Sequence, residues 1–162
     1  MAMVDYFLKI DGIKGESQDS KHKDEIQLLS WSWAEEQSGK RDFSTSGGGI
    51  GRVRMEDFQF TMNSNVASPK LMLACATGDH IKQALLTCRK AGKEQQEYLK
   101  LTLSDVLVSS YKTNGGDSDH LPMDSVSLNF GKILIDYRKQ DQNGQLVAGT
   151  VASYDLRTMM AR

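Results

Sequence analysis

Hydrophobic and polar residues alternate along most of this chain, a pattern typical of β-strands with one buried face. Glycine, asparagine and aspartate interrupt the alternation at fairly regular intervals, where the chain is expected to turn. The pattern predicts about seven or eight strands. The segments are 4–10, 25–36, 52–63, 80–92, 97–111, 124–140 and 147–156.

The second of these segments contains two tryptophans separated by serine. In a strand, Leu29, Trp31 and Trp33 share one face, and Ser30 and Ser32 share the other. The tryptophans offer a stacking platform for a base or a sugar, but their position beside a leucine favours the core or an interface. The serine face is small and polar, which suits contact with water or with varied protein cargo.

Two changes of phase are expected within the predicted strands. The apolar face switches between Met55 and Phe58, which indicates a bulge. It switches again across Gly131 and Lys132, where a glycine bulge is the expected cause. In the strand over 97–111 the alternation places four leucines on one face, at 99, 101, 103 and 107.

One segment has helical rather than alternating spacing. Ser68 is predicted as its N-cap, Pro69 as its first helical residue and Gly78 as its end. The apolar residues at helical spacing between them are Leu71, Met72, Cys75 and Ala76. The sequence therefore predicts one short helix.

Turn signals complete the outline of the fold. Asn143-Gly144 is a strong hairpin signal. Three long polar segments are predicted loops, at 14–25, 38–51 and 113–122. We therefore predict a mainly β protein, an antiparallel β-barrel or sandwich with one short α-helix packed against it, in a single domain over 1–162.

Composition narrows the classes of function. With 39% hydrophobic residues among 162, the chain has enough apolar material for a core. It has 20 basic and 21 acidic residues and a net charge of −1, so a nucleic-acid partner has no electrostatic support. No segment is long and apolar enough to span a membrane, and Asp5 interrupts the start, so we expect no membrane partner and no cleaved leader.

No arrangement of residues indicates catalysis or a metal. The glycines at 47–51 match neither phosphate-binding pattern, and His80, Asp119 and His120 are expected to be exposed rather than an acid–base site. Acidic residues between 11 and 24 lack the spacing of a calcium loop, and Cys75 and Cys88 are too few for a zinc site. We expect reduced cysteines, no cofactor, no metal and no enzymatic activity.

Six blocks of sequence, taken together and in order, resemble the haemolysin-coregulated protein family, Hcp, the tube protein of bacterial type VI secretion. None of the blocks is a catalytic motif. The resemblance rests on the occurrence of all six blocks in the same order within one compact domain. They lie at 7–17, 21–26, 30–33, 89–92, 97–110 and 125–137.

The resemblance implies a β-barrel with one helix, assembling as a hexameric ring around a channel. Rings stack head-to-tail into a tube, inside a contractile sheath and behind a spike protein. The channel carries small effector proteins. The implied partners are therefore further copies of the chain, the spike, the sheath and effectors. The protein is expected in the cytoplasm when assembled, and outside the cell or in a target cell after secretion.

Under this resemblance, the long polar loops are expected to contact neighbouring rings. Head-to-tail stacking is a heterologous contact that repeats without closing. The segments expected at the ring faces are 38–51, 91–94, 113–121 and 157–162. Within them the candidate residues are Arg41, Ser44, Gly48, Gly49, Gly92, Lys93, Asp117 and Arg157. Ser32 is the candidate for a residue that faces the channel and its cargo.

Two alternatives remain at this stage. One is a monomeric lipocalin-like barrel that binds a ligand in an apolar cavity, although apolar residues recur on every strand and leave little sign of a hollow interior. The other is a small hydrolase or lyase on a β scaffold, which the missing acid–base residues disfavour.

Overall fold

A computed structural model of the chain describes residues 4–37, 52–90, 95–117 and 120–162. These residues are mainly β, as predicted, with twelve strands and one helix among them. The strands are β1 (Val4–Ile10), β2 (Ile26–Gln27), β3 (Ser30–Ser32), β4 (Glu35–Gln37), β5 (Val53–Met55), β6 (Phe58–Asn63), β7 (Ile81–Lys90), β8 (Gln96–Asn114), β9 (Met123–Asn129), β10 (Lys132–Gln140), β11 (Leu146–Asp155) and β12 (Met160–Ala161), and the helix is α1 (Ser68–Thr77).

The strands form two antiparallel sheets that share β8. The first sheet has the order β12-β11-β10-β8-β7-β1-β2. The second consists of β3, β6, β9 and the last part of β8. A separate ribbon pairs β4 with β5. The long strand thus leaves one sheet and enters the other, and the two sheets enclose one core.

The change of sheet occurs at Asp105. This residue has φ of 54°, in the left-handed region that few residues other than glycine adopt. β8 pairs with β10 as far as Ser104 and with β7 as far as Val106, and from Leu107 onward it pairs with β9. The irregular residue shifts the alternation by one, so Val106 and Val108 are buried. Leu107, predicted on the buried face, is instead 38% exposed.

The predicted strand over 25–36 is wrong as a single element, because the segment changes its pairing partner twice. Leu28 donates its backbone N–H to Tyr6 in β1, whereas Leu29 donates to Thr61 in β6. The backbone turns between these bonds, so Leu29 is 51% exposed and does not share the buried face of the tryptophans. Trp31 and Trp33 do pack against the core, as expected.

Both predicted phase changes exist, but each is a boundary between two strands rather than a bulge in one. Met55 ends β5, which pairs with β4, and Phe58 begins β6, which pairs with β3 and β9. Gly131 lies between β9 in the second sheet and β10 in the first. The apolar face changes there because the chain crosses from one sheet to the other.

The helix is confirmed, with a different cap. Ala67 is the N-cap and makes no side-chain capping bond, and Gly78 ends the helix with φ of 69°. Ser68 is therefore not the N-cap, because its hydroxyl donates to Asp124 Oδ2 at 2.5 Å instead. Leu71 and Ala74 are the buried residues of the helix.

The remaining hairpin signal is also confirmed. Gly144 has φ of 78° and donates its N–H to the Asp141 carbonyl at 3.1 Å, between β10 and β11.

The core between the sheets is filled by side chains from both. Its largest members include Leu8, Phe58, Phe60, Met62, Leu86, Leu103 and Leu128.

Candidate functional site

The outer face of the second sheet is a polar groove. Its first row crosses four strands in register, from Ser30 through Thr61 and Ser125 to Lys112. Ser30 Oγ and Thr61 Oγ1 lie 2.6 Å apart and share a hydrogen bond. Because residues in register point to one side of a sheet, these four side chains face the same space.

A second row lies two residues along. It runs from Ser32 through Gln59 and Ser127 to Ser110. The two rows line an open groove of about 280 Å³. This volume lies at the low end for small-molecule sites, and it fits a few side chains better than a cofactor. We call the eight residues of these two rows the hydroxyl groove.

The groove exists because the same strands alternate strictly. Phe58, Phe60 and Met62 turn into the core, so Gln59 and Thr61 turn outward. In β9, Val126 and Leu128 likewise turn into the core, so Ser125 and Ser127 turn outward. Burial of one face therefore fixes the register and presents the polar residues together on the other face.

Beneath the groove, a buried carboxylate ties the second sheet to the helix. Asp124 is fully buried, and its oxygens accept hydrogen bonds from Ser64 at 2.7 Å, Ser68 at 2.5 Å and Tyr111 at 3.0 Å. Burial alone raises the pKa of Asp124, but the hydroxyl hydrogen bonds outweigh it and leave that pKa below its usual range. The satisfied carboxylate holds β8, β9 and α1 together.

Comparison with known proteins identifies the family. A family model described as "Type VI secretion system effector, Hcp" matches residues 7–137. The chain is also 45% identical over 149 residues to Protein hcp1 of Pseudomonas aeruginosa, with 91% of each chain covered. This chain belongs to the Hcp family.

Solved structures agree with the fold described above. Hcp1 from Salmonella typhimurium has a TM-score of 0.79 at 35% identity, covering 99% of this chain and 100% of that one. A type VI secretion system effector from Yersinia pestis has a TM-score of 0.74 at 33% identity, covering 93% and 99%. The predicted resemblance to Hcp, and the function in type VI secretion that it implied, are confirmed, and the lipocalin-like alternative finds no support.

Ser32, the residue expected to face the channel of an Hcp ring, lies in the hydroxyl groove. It is exposed in β3, and its register partner is Gln59. The sequence pattern identified Ser32 but not its neighbours from β8 and β9. The residues of β8 and β9 that share the groove with Ser32 are more than 70 positions away in the sequence. Alternation within one strand does not show which strands will pair, so it could not identify them.

The candidates for ring stacking in this Hcp chain divide into two groups. Six lie outside the described residues: Arg41, Ser44, Gly48, Gly49, Gly92 and Lys93. Asp117 is exposed just after the end of β8. Arg157, between β11 and β12, forms ion pairs with Asp155, at 3.2 Å, and with Asp105.

The last two candidates lie toward opposite ends of the second sheet. Arg157 contacts Asp105, where β8 enters that sheet, and Asp117 follows Asn114, where β8 ends. The nine residue steps from Asp105 to Asn114 correspond to about 30 Å of strand. The role of both candidates in stacking stays a prediction.

Sequence reasoning missed a buried ionic cluster under the polar segment 14–25. That segment was predicted as a solvated loop, yet His22 is only 6% exposed. Its Nδ1 lies 2.9 Å from Glu25 and its Nε2 lies 2.6 Å from Glu97. The imidazole stacks on Phe7, with ring centroids 4.5 Å apart.

Arg89 forms the other half of this cluster. Its guanidinium binds Asp19 and Asp5, and it lies 4.8 Å from the centroid of the Phe7 ring. The hydrogen bond from Arg89 holds the pKa of Asp19 at about 2, against its usual 3.8. Burial raises the pKa of Glu97, but hydrogen bonds with His22 and Lys100 outweigh it and lower that pKa. No sequence motif signals these pairs, because their members are up to 84 positions apart.

The histidines and acidic residues of the described part of the chain can be compared with the arrangements that hold a metal ion or form an acid–base site. Across 4–37, 52–90, 95–117 and 120–162, no three of His, Cys, Asp and Glu are grouped to hold a metal ion. His80 is exposed and pairs with Asp105 at 3.1 Å, and His120 is exposed after the loop that follows β8. The helix α1, the one helix of the described residues, is not long and apolar enough to cross a membrane.

Proposed function

We propose that this Hcp chain is the tube subunit of a type VI secretion system, and that the hydroxyl groove lines the channel of a hexameric ring. Rings stack head-to-tail inside a contractile sheath and behind a spike, and small effector proteins travel in the channel. The protein is secreted from the cytoplasm into the medium or a target cell. It acts as a carrier rather than as an enzyme.

The hydroxyl groove is the observation that carries this proposal. Ser30, Ser32, Thr61, Ser110 and Ser127 present small hydroxyl groups on the open face of a sheet whose other face is buried. Hydroxyl groups donate and accept hydrogen bonds equally well. Such a wall wets easily and accommodates cargo surfaces of varied sequence, as a channel for different effectors requires.

The first experiment measures the mass of the purified protein by light scattering after size exclusion, followed by negative-stain imaging. A mass of six protomers and an annular image support the ring. A monomer over a wide range of concentration contradicts it.

The second experiment tests the groove as the channel wall. In Ser32→Gln a longer side chain fills the groove, and we expect the ring mass to be retained while co-purification of effector proteins from the same bacterium decreases. The control is Thr150→Gln, on β11 and outside the groove, which should retain both properties. If Ser32→Gln breaks the ring, Ser32 belongs to a subunit interface instead.

The stacking faces are tested by disulfide formation between rings. We propose that Asp117 and Arg157 lie on opposite faces of the ring. In a Cys75→Ser background, Asp117→Cys combined with Arg157→Cys should then give crosslinked multiples of the ring under oxidation. Each single cysteine variant serves as its control and should give no such series. Failure of the pair to crosslink in preparations that contain stacked tubes would contradict these two assignments.

A further inference from the structure

We propose that Lys112 makes the hydroxyl groove selective for cargo segments that carry carboxylates. This inference rests on the proposed function, because it takes the groove as the surface that cargo meets. The partner is an acidic segment of a cargo protein, and Lys112 is the residue that recognises it.

Lys112 is the only charged side chain among the described residues that line the groove. The others are hydroxyl, amide or apolar groups, at Ser30, Trp31, Ser32, Gln59, Phe60, Thr61, Ser110, Ser125, Val126 and Ser127. Hydroxyls and amides both donate and accept, so they do not distinguish an acidic cargo from a basic one. Selection by charge therefore depends on the ammonium group.

The charge of Lys112 is not neutralised by the carboxylates nearest to it along the strands. Asp124 is adjacent to Ser125, the register partner of Lys112, but its side chain is buried on the opposite face and accepts three hydroxyl hydrogen bonds. The Lys112 side chain has no hydrogen bond or ion pair within the described parts of the chain. The ammonium is left for an external anion.

Asp57, an acidic residue that precedes β6, is distant from Lys112 and already forms hydrogen bonds. Asp57 accepts hydrogen bonds from Ser109 at 2.6 Å and from Asn129 at 3.0 Å. Asn129 lies four residues from Ser125 along β9, which corresponds to about 13 Å of strand. That distance exceeds the screening length of about 8 Å at physiological salt, so Asp57 barely reduces the potential at Lys112.

The shape of the site strengthens the effect of one charge. Lys112 ends a row of neutral hydroxyls along a concave surface, with Phe60 and Val126 at its base. A low-dielectric wall concentrates the field of a charge in a cleft. In a hexameric ring six symmetry-related lysines would face one channel, so an acidic segment would meet several ammonium groups at once.

The test measures the charge preference directly. Three fluorescent twelve-residue peptides, alternating serine with glutamate, glutamine or lysine, are titrated with wild-type protein and followed by anisotropy. We expect the glutamate peptide to bind most tightly. Lys112→Gln should weaken its binding by about fivefold, the upper range for one exposed ion pair, and leave the glutamine peptide unchanged. Lys112→Glu should reverse the preference in favour of the lysine peptide.

A matched variant separates the groove from net charge. Lys82 is exposed in β7, outside the groove, and Lys82→Gln changes the charge of the protein by the same amount. We expect it to bind all three peptides as the wild type does. Equal loss in Lys82→Gln and Lys112→Gln, equal binding of the glutamate and glutamine peptides, or no binding of any peptide would each overturn the proposal.

The mass of each variant is measured alongside. A wild type that is not a ring contradicts the proposed function, whereas a ring without charge preference contradicts only the role of Lys112. A charge preference that Lys112→Gln removes in rings of unchanged mass supports both.

Discussion

The guanidinium of Arg89 donates hydrogen bonds to both carboxylate oxygens of Asp19, a residue 70 positions earlier in the chain. The distances are 3.0 Å and 2.7 Å, and the Arg89 side chain is only 3% exposed. A bidentate pair of this kind combines charge with fixed geometry. It fastens the polar segment 14–25 to β7 of the first sheet.

Removal of one partner from this buried pair should destabilise the protein strongly. Arg89→Ala leaves the carboxylates of Asp19 and Asp5 without their cation, and we expect a loss of about 3–5 kcal/mol in the free energy of unfolding. Urea unfolding at a fixed protomer concentration measures the change.

The control for this prediction is an exposed pair. Arg54 and Glu36 lie 3.6 Å apart with side chains 76% and 67% exposed. Arg54→Ala should change the free energy of unfolding by less than about 1 kcal/mol. Similar losses in the two variants would show that Arg89 contributes no more than a surface ion pair.

The same pair predicts a dependence of stability on pH. The pKa of Asp19 is lowered to about 2 in the folded protein, so its contribution is complete above the unfolded value of 3.8. The contribution begins to decrease below about pH 4 and is lost as the pH falls through the folded pKa of about 2. Asp19→Asn should therefore be less stable than the wild type near neutral pH, and the difference should become small as the pH falls to about 2.

Urea midpoints of the wild type and Asp19→Asn at several pH values test this expectation. Asp136→Asn serves as a control for loss of one carboxylate outside the cluster. If the difference between wild type and Asp19→Asn stays constant from pH 7 to pH 2, ionisation of Asp19 does not stabilise the fold.

A close backbone approach predicts the effect of a single methyl group. A Cβ at Gly149 in β11 would overlap the carbonyl of Tyr137 in β10, where the pairing of the two strands shifts register. Gly149→Ala should destabilise the protein by about 1–3 kcal/mol, because one of the strands must move. The thermal midpoint reports the change.

Gly116 provides the matched control, because a Cβ there meets nothing within 4 Å. Gly116→Ala should lie within about 0.5 kcal/mol of the wild type. A Gly149→Ala protein with an unchanged thermal midpoint would mean that β10 and β11 adjust freely at the register shift.

The two cysteines should differ in their reactivity toward a thiol reagent. Cys88 is fully buried, and burial raises the pKa of its thiol to about 11. At pH 8 roughly one molecule in a thousand carries the thiolate, which is the reactive form. Cys75 is partly exposed in the helix. We expect one thiol to react in the native protein and two after unfolding.

Cys75→Ser identifies the reactive thiol. In this variant the native protein should not react over the time in which the wild type reacts completely. Rapid labelling of Cys75→Ser without unfolding would show that Cys88 is accessible.

The sequence predicted where strands and the helix occur more accurately than which of their side chains are buried. Alternation located β1, β7 and β11 as single strands, whereas β5 and β6 were predicted as one strand, and so were β9 and β10. Leu29 and Leu107 were misplaced because their strands change partners beside them, at the passage from β1 to β6 and at Asp105. Alternation follows one strand, whereas these changes depend on which strand lies next to it.

The site was predicted in part for the same reason. Ser32 follows from the alternation of residues 30–33. The position of Lys112 in the groove does not follow from alternation. Lys112 lies in the same row as Ser30 only because β6 and β9 pair in a particular register between them. His22 lies in the segment 14–25 that was predicted as a polar loop, and only the folded chain brings Glu97 to within 2.6 Å of it.

The strand β8 has a consequence for how the molecule unfolds. It gives its first residues to one sheet and its last to the other, so neither sheet is complete without it. Separation of the sheets would break β8 or remove a strand from one of them. The protein should therefore lose its structure in one cooperative transition, and the amide protons of β8 that bond to β7 and β10 should exchange only through global unfolding. We therefore expect the two sheets to resist separation as a single body.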